Sequence, residues 1–436
     1  MIRRSMWLLV VLLSGVSTLQ AENWSRFRGP NGQGVSDETG VPLEWSLDKN
    51  VAWHTPIPGE GWSSPIVWED QVFVTTATNN GTICRVLCLN RKTGDIEWNQ
   101  QVFEQVPLRK ENKNSYATPT PVTDGERVYA VFGDGSVVAL SMDGEVQWTN
   151  RDVRFYSRHG LGASPILHDG LLIMPYDGSL PPPESGKFED FQQERIGWQI
   201  PWEKSFLVAL DTSSGEEVWR ADRGMSRIAH VTPVVVENDS NDLLVSPAGD
   251  VIQGFDPLSG ERLWTVKSQG EGVVPSPALS NGLIITASGF EAPTIRAVQP
   301  GGEGDVTETH IAWEQRRGCP NQPSLLTIGS RLYAISDTGV ISCFDANTGE
   351  LLGQQRVGGN YSSSPVAADG RIYFTSESAE TVVVNADPEL EILTRNQLSG
   401  HAQASPAISQ GNVFIRTTDG LFCVGADPSQ KNSVKE

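Results

Sequence analysis

The sequence predicts an all-β protein, an eight-bladed β-propeller whose last blade is closed by the N-terminal strand. Three observations carry this reading. A hairpin pattern returns along the chain, a Ser-Pro strand start returns ahead of it, and a lone Trp-bearing strand near the N-terminus complements an unfinished copy at the C-terminus.

The hairpin is clearest at Ala209-Leu210-Asp211-Thr212-Ser213-Ser214-Gly215-Glu216-Glu217-Val218-Trp219. Cys88 to Trp98 and Gly254 to Trp264 match it at every key position, Ala139 to Trp148 is one residue shorter, and Cys343 to Gly353 lacks only the final Trp. The first position is small because a strand packed between two sheets leaves no room for a large side chain. The Asp or Asn ends that strand and bonds its own backbone, and the Gly supplies the positive φ that the turn requires. The closing Trp brings a large apolar surface and an indole N–H in need of an acceptor, so it is expected to dock on a neighbouring copy.

Ahead of each hairpin stands a strand start of Ser-Pro type, then two apolar residues, a turn and an alternating strand. The starts are Ser64-Pro65, Thr120-Pro121, Ser164-Pro165, Thr232-Pro233, Ser276-Pro277, Pro323, Ser364-Pro365 and Ser405-Pro406. Spacings of roughly 40 to 50 residues belong to propeller blades or helical arrays. The alternation and the Gly-rich turns exclude the helical option.

The N-terminal strand Val51-Ala52-Trp53-His54-Thr55 has no local partners, and the copy from Ser405 to Val424 ends without its fourth strand. Pairing the two closes the ring and removes two exposed edges. The propeller is expected over 43–428, with an extended arm at 22–42, an insertion at 176–204 in the third blade, and a disordered tail at 429–436. Residues 1–21 combine Arg3 and Arg4 with a short apolar run and Leu19-Gln20-Ala21, a secretory signal cleaved near Ala21. The mature chain is expected in the periplasm or secreted, as a monomer.

Composition narrows the partners. With 33 Lys and Arg against 53 Asp and Glu, the formal net charge is -20. That argues against nucleic acid and anionic membrane surfaces, both of which need basic neutralisation, and leaves protein, glycan and small-molecule partners. Cys88, Cys343 and Cys423 occupy buried small-residue positions of the repeat and read as small hydrophobes. Cys84 and Cys88 lie four apart on one strand, roughly 13 Å at strand rise, too far to bridge. Cys319 has no assignment.

The Ser-Pro strand and the Ala-x-Asp-x-x-Thr-Gly-Glu-x-x-Trp hairpin resemble the repeats of the pyrroloquinoline quinone (PQQ)-dependent alcohol dehydrogenase-like superfamily. That superfamily includes BamB-like assembly proteins, which carry no cofactor. The opening arm, with Trp24, Arg28-Gly29-Pro30 and Trp62-Ser63-Ser64-Pro65, resembles secreted PQQ-like repeat proteins of planctomycete-type bacteria. In the quinone enzymes the resemblance implies a cofactor between a Trp and a disulfide of adjacent Cys residues, with calcium held by carboxylate and amide oxygens. This sequence has no adjacent Cys pair and no recognisable calcium set, so no catalytic, cofactor or metal residue carries over.

Geometry still indicates where a ligand would sit. Loops entering the inner strands surround the central funnel, which puts Trp62, Tyr116, Arg158, His159, Arg227, His230, Asn321, Tyr361 and His401 on the candidate face. The 176–204 insertion joins second and third strands and overhangs the same face. Arg158 and Arg227 would suit an anion. A metal site from His159, His230 and His401 is disfavoured, because their blades are spread around the ring. Nucleophile elbow, zinc-protease helix, phosphate loop and EF-hand patterns are all missing from the chain. The favoured function is a binding or assembly scaffold without bound quinone. The alternatives are a redox dehydrogenase using PQQ with calcium, and an extracellular hydrolase or lyase.

Overall fold

The computed structural model describes residues 22–425 apart from 109, 154–156, 158, 179–197, 239–240, 269 and 271. The expected signal peptide and C-terminal tail, Arg158 and most of the 176–204 insertion lie outside the described residues.

The chain forms eight antiparallel sheets arranged as a propeller. In the third blade the order from the axis outward is Ile166–His168, Leu171–Tyr176, Phe206–Asp211 and Glu217–Asp222. The middle strands are packed by neighbouring blades on both faces and are almost wholly buried. The outer strand buries only Trp219 and Ala221. The last sheet pairs Val51–Thr55 with Gly420–Val424, bringing Trp53 opposite Cys423. Ring closure therefore joins the two ends of the chain.

Each turn of the hairpin repeat does two jobs. Asp211 Oδ1 accepts the N–H groups of Ser213 and Ser214, both at 2.9 Å, and fixes the turn. Gly215 sits at φ +75°, and a Cβ added there would lie 2.4 Å from the ring of Trp148 in the preceding blade. Trp148 Nε1 then donates to Thr212 O at 2.9 Å. The same bond runs from Trp53 to Arg91 O, Trp98 to Met142 O, Trp219 to Pro257 O and Trp313 to Ala346 O.

A second belt circles the axis. At seven of the eight strand starts the backbone N–H donates to the hydroxyl of the next blade's Ser or Thr: Ser64 to Thr120, Thr120 to Ser164 and Ser164 to Thr232 on one arc. Ser276 to Ser324, Ser324 to Ser364, Ser364 to Ser405 and Ser405 to Ser64 complete it, all seven at 2.8–3.1 Å. In the sixth blade Ser324 fills the place before Leu325, so the repeat there is keyed by the Ser and the Pro is dispensable.

The junction between the fourth and fifth blades lacks both fastenings. Its turn is replaced by the Gly-rich insertion, which contributes a short helix, Thr307–His310, and a strand, Gly304–Asp305, added in parallel to Arg262–Lys267. Trp264 has no hairpin carbonyl to reach, and its buried Nε1 meets no acceptor. Its ring instead lies across Gly254, where a Cβ would come within 2.2 Å. The junction is held by backbone bonds from His230 N to Val273 O and Gly272 N to Ile228 O, and by the Val234–Ile284–Val298 cluster around Trp264.

The N-terminal arm closes one end of the channel. Trp24 exchanges backbone bonds with Val67, Thr123 N donates to Ser25 O, and Val35 bridges Ala367 between bonds to Gly34 and Ser36. Arg28, fully buried, donates to Gln33 O and Leu325 O, while Gln33 bonds the fifth blade through Leu279 N. These contacts fall on the inner strands at Val67, Thr123, Leu279 and Ala367, and on Leu325 just ahead of one.

Candidate functional site

The open end of the channel is a blind funnel of about 780 Å³. Loops entering the inner strands contribute Trp62, Lys113, His159, His230 and Asn321, and loops joining second and third strands contribute Trp198, Phe290 and Asp337. Phe27 of the arm also lines it, with the belt residues Ser64, Thr120, Ser164, Thr232, Ser324, Ser364 and Ser405.

The structure brings together four of the nine residues read from the sequence: Trp62, His159, His230 and Asn321. His401 stands beside them, its ring 6.0 Å from Trp62 and its Nε2 3.1 Å from the Gln403 amide. Three others point elsewhere. Tyr116 packs against Gly81 with the Lys110 ammonium 5.4 Å from its ring centroid. Tyr361 is fully buried in the cluster with Ile335 and Val357, where burial pushes its phenol up to about 12. Arg227 forks onto Asp250 at 2.7 Å and reaches Glu291 at 2.8 Å in a different hollow, because its backbone pairs with Gly249. It is therefore no anion receptor for the funnel. Arg158 lies outside the described residues.

Among the described lining residues the charges are few and tied. Lys113 lies 3.1 Å from Glu377, and Asp337 Oδ2 accepts the Asn321 N–H at 3.0 Å. Desolvation lowers the His230 imidazole to about 3, and the neighbouring His159 adds to the shift. His230 is thus neutral across the physiological range. The His159 ring is 6.1 Å from His230 and meets Trp198 edge-on at 5.6 Å. His401 is on the Trp62 side, and among the described residues no group of three or more His, Cys, Asp or Glu is gathered for a metal.

All five cysteines are free. Cys84, Cys88, Cys343 and Cys423 are buried, and burial raises each thiol, to about 11 for Cys343 and about 12 for Cys423. Cys319 is half-buried and makes no disulfide.

The sequence reading missed Phe27, Lys113, Phe290 and Asp337 as funnel residues, while Trp198 belongs to the 176–204 insertion that it placed over this face. Asp337 and Phe290 sit in loops between second and third strands, a class already assigned to this face, so their positions could have been read. Phe27 could not, since nothing local says that the arm crosses the channel.

A larger hollow of about 1180 Å³ opens on the shoulder of blades three to five, lined by Pro201, Met225, Arg227, Asp250, Trp264 and Ala292 among others. Met225 on its wall is 60% exposed and Ile200, next to the lining residue Pro201, is 51% exposed; Phe290, also exposed, lines the funnel. It lies where the blade four to five junction has lost its Trp-to-hairpin bond.

Residues 44–150, 84–181, 203–299 and 337–427 match the family described as outer membrane protein assembly factor BamB. The outer membrane protein assembly factor BamB of Yersinia pestis is 22% identical over 249 residues, covering 55% of this chain and 52% of that protein. The chain thus spans about half the length of this curated relative. Among solved structures, BamB from Moraxella catarrhalis superimposes with a TM-score of 0.56 at 16% identity, covering 85% of this chain and 95% of that one. A europium-containing methanol dehydrogenase gives 0.51 at 10% identity, over 92% and 90% of the two chains. At these identities the structural likeness speaks for the fold alone, while the repeat matches run over most of the propeller. The chain belongs to the BamB family of PQQ-like repeat propellers.

Proposed function

We propose that this chain is an exported binding scaffold, working in the periplasm or outside the cell, that holds a protein partner on the shoulder of blades three to five. The observation that carries this reading is a hollow of about 1180 Å³ with Met225 exposed on its wall and Ile200 exposed next to the lining residue Pro201. Exposed apolar groups rimmed by charge, here Arg227, Asp250 and Glu291, are typical of protein-binding surfaces. The relatives described as assembly factors support a protein partner. No described helix is long and apolar enough to cross a membrane.

A quinone does not fit the funnel. PQQ is a tricarboxylate, and burying its charge needs compensating cations. Among the described lining residues Lys113 is the one Lys or Arg, already paired with Glu377, while Glu111 and Asp337 add negative charge. The likeness to a methanol dehydrogenase, at 10% identity, speaks for the fold alone.

The test is capture from envelope extracts by the wild-type mature chain and by an Ile200→Glu/Met225→Glu variant, with photo-cross-links placed beside each site. The reading requires an envelope protein cross-linked at the shoulder and lost in a variant that melts like wild type. Equal capture by both, or cross-links confined to the opposite face, would sink it.

A further inference from the structure

We propose that the blind funnel is a binding site for an uncharged saccharide chain. This goes beyond the shoulder and its protein partner, and the rings and polar groups that carry it line the funnel.

The first observation is the pattern of rings. Trp62, Trp198 and Phe290 line the funnel wall, and Phe27 lies against the belt at the Thr232–Ser276 junction, which also bounds a small crevice behind it. Flat aromatic surfaces match the C–H faces of sugar rings, and a Trp supplies the largest such surface at low entropic cost. The second is the polar inventory between those rings. Asn112, Gln322, Gln403 and Ser362 are amides and a hydroxyl, each able to donate and to accept. A sugar hydroxyl also does both, so the two sets are complementary without any charge.

The third observation concerns unmet hydrogen bonds. Trp62 Nε1, Asn321 Oδ1 and Asp337 Oδ1 are buried and meet no partner in the protein, and all three residues line this cavity. Donor and acceptor are both missing, so a ligand that satisfies them carries both functions. A polyanion does not, and a simple cation serves only the two oxygens. The state of the charges agrees: Lys113 is tied to Glu377, and His230 stays neutral. A charged ligand would enter a low-dielectric space with no free counter-charge among the described lining residues, at a heavy desolvation cost.

Shape completes the argument. The arm closes the far end, so a chain cannot thread through and must enter by one end from the loop face. The volume of about 780 Å³ lies inside the range of small-ligand sites, roughly 300–1,000 Å³, and suits the terminus of an oligosaccharide.

The experiment is a glycan array carrying neutral and acidic oligosaccharides, probed with the mature protein and followed by fluorescence titration of each hit. The expected result is saturable tryptophan quenching by a neutral oligosaccharide with an affinity that does not change with salt. Trp198→Ala should weaken it about tenfold, the scale of one lost aromatic contact. Asn112 is exposed, so Asn112→Ala leaves the fold intact and should weaken binding severalfold at an unchanged melting temperature. Binding of acidic glycans alone, lost at high salt, would overturn the proposal. So would silence across all neutral glycans, or neutral binding that both variants retain. Since neither Ile200 nor Met225 is among the funnel residues, the Ile200→Glu/Met225→Glu variant should bind the sugar normally, which separates failure here from failure of the shoulder reading.

Discussion

Ser164 and Ser276 hold equivalent places in the repeat, and the belt around the axis assigns them different energetic weights. Ser164 Oγ accepts the Thr120 N–H at 2.9 Å, with both residues buried. Ser164→Ala leaves that buried N–H without its acceptor, which costs about 1–3 kcal/mol. Ser276 Oγ stands at the one junction where no N–H from the preceding blade reaches the hydroxyl, since Thr232 and Ser276 are not bonded and the loops are joined instead through His230 N and Val273 O. Ser276→Ala therefore removes a hydroxyl that caps nothing in the belt and should cost under about 0.5 kcal/mol. Both variants keep their own backbone donors, to Thr232 Oγ1 and Ser324 Oγ, so the comparison isolates the accepting hydroxyl. Urea unfolding followed by tryptophan fluorescence reads the difference as a shift in midpoint at constant slope. Equal losses in the two variants would refute the belt as a source of stability.

The outer fastening gives a parallel contrast. Trp219→Phe loses a 3.1 Å bond to Pro257 O, whereas Trp264→Phe removes an N–H that has no acceptor, so the first should be less stable than the second by about 2–4 kcal/mol in the same urea assay. Gly215→Ala forces a side chain into φ +75° and to 2.4 Å from the Trp148 ring, and should cost at least about 2 kcal/mol, well above a surface substitution. His230 titrates at about 3 in the folded chain, below the ordinary value near 6.5. The unfolded chain then takes up a proton that the folded chain refuses, so stability is full above about pH 6.5 and falls by about 1–3 kcal/mol as pH drops toward 3. Denaturant midpoints measured across that window should lose this part of their slope in His230→Gln.

The fold was legible because the repeat encodes both of its fastenings in short range. Asp211 and Gly215 make their turn locally, and the same Gly leaves the space for Trp148, so one hairpin sequence reports the turn and the neighbour together. The missing fourth strand of the last copy also had one candidate partner, the strand carrying Trp53. Gly254 is the instructive failure. It reads as another small residue, equivalent to Ala209, yet it is Gly because Trp264 lies across it, and that follows only from the loss of the Asp-Gly turn one blade later.

The site was legible in outline only. Sequence spacing places a residue on the funnel face but does not say which way its side chain turns. Trp62 and His230 point inward, while Arg227 is drawn outward by Asp250 and Glu291, both distant in sequence and on separate loops. Tyr361 follows the apolar cluster between the sixth and seventh blades. Phe27 reaches the funnel because the arm pairs with inner strands around the ring, contacts that leave no local signature.

The central claim is that this propeller works by binding, with a funnel whose charge does not suit a quinone. It is tested most directly by titrating the mature chain with PQQ in the presence of calcium, following tryptophan fluorescence and the melting temperature together. A ligand that binds only the folded chain must raise its melting temperature. The account predicts no saturable quenching and no rise. Saturable quenching with a higher melting temperature, abolished by Trp62→Ala, would contradict it and make the funnel a quinone site.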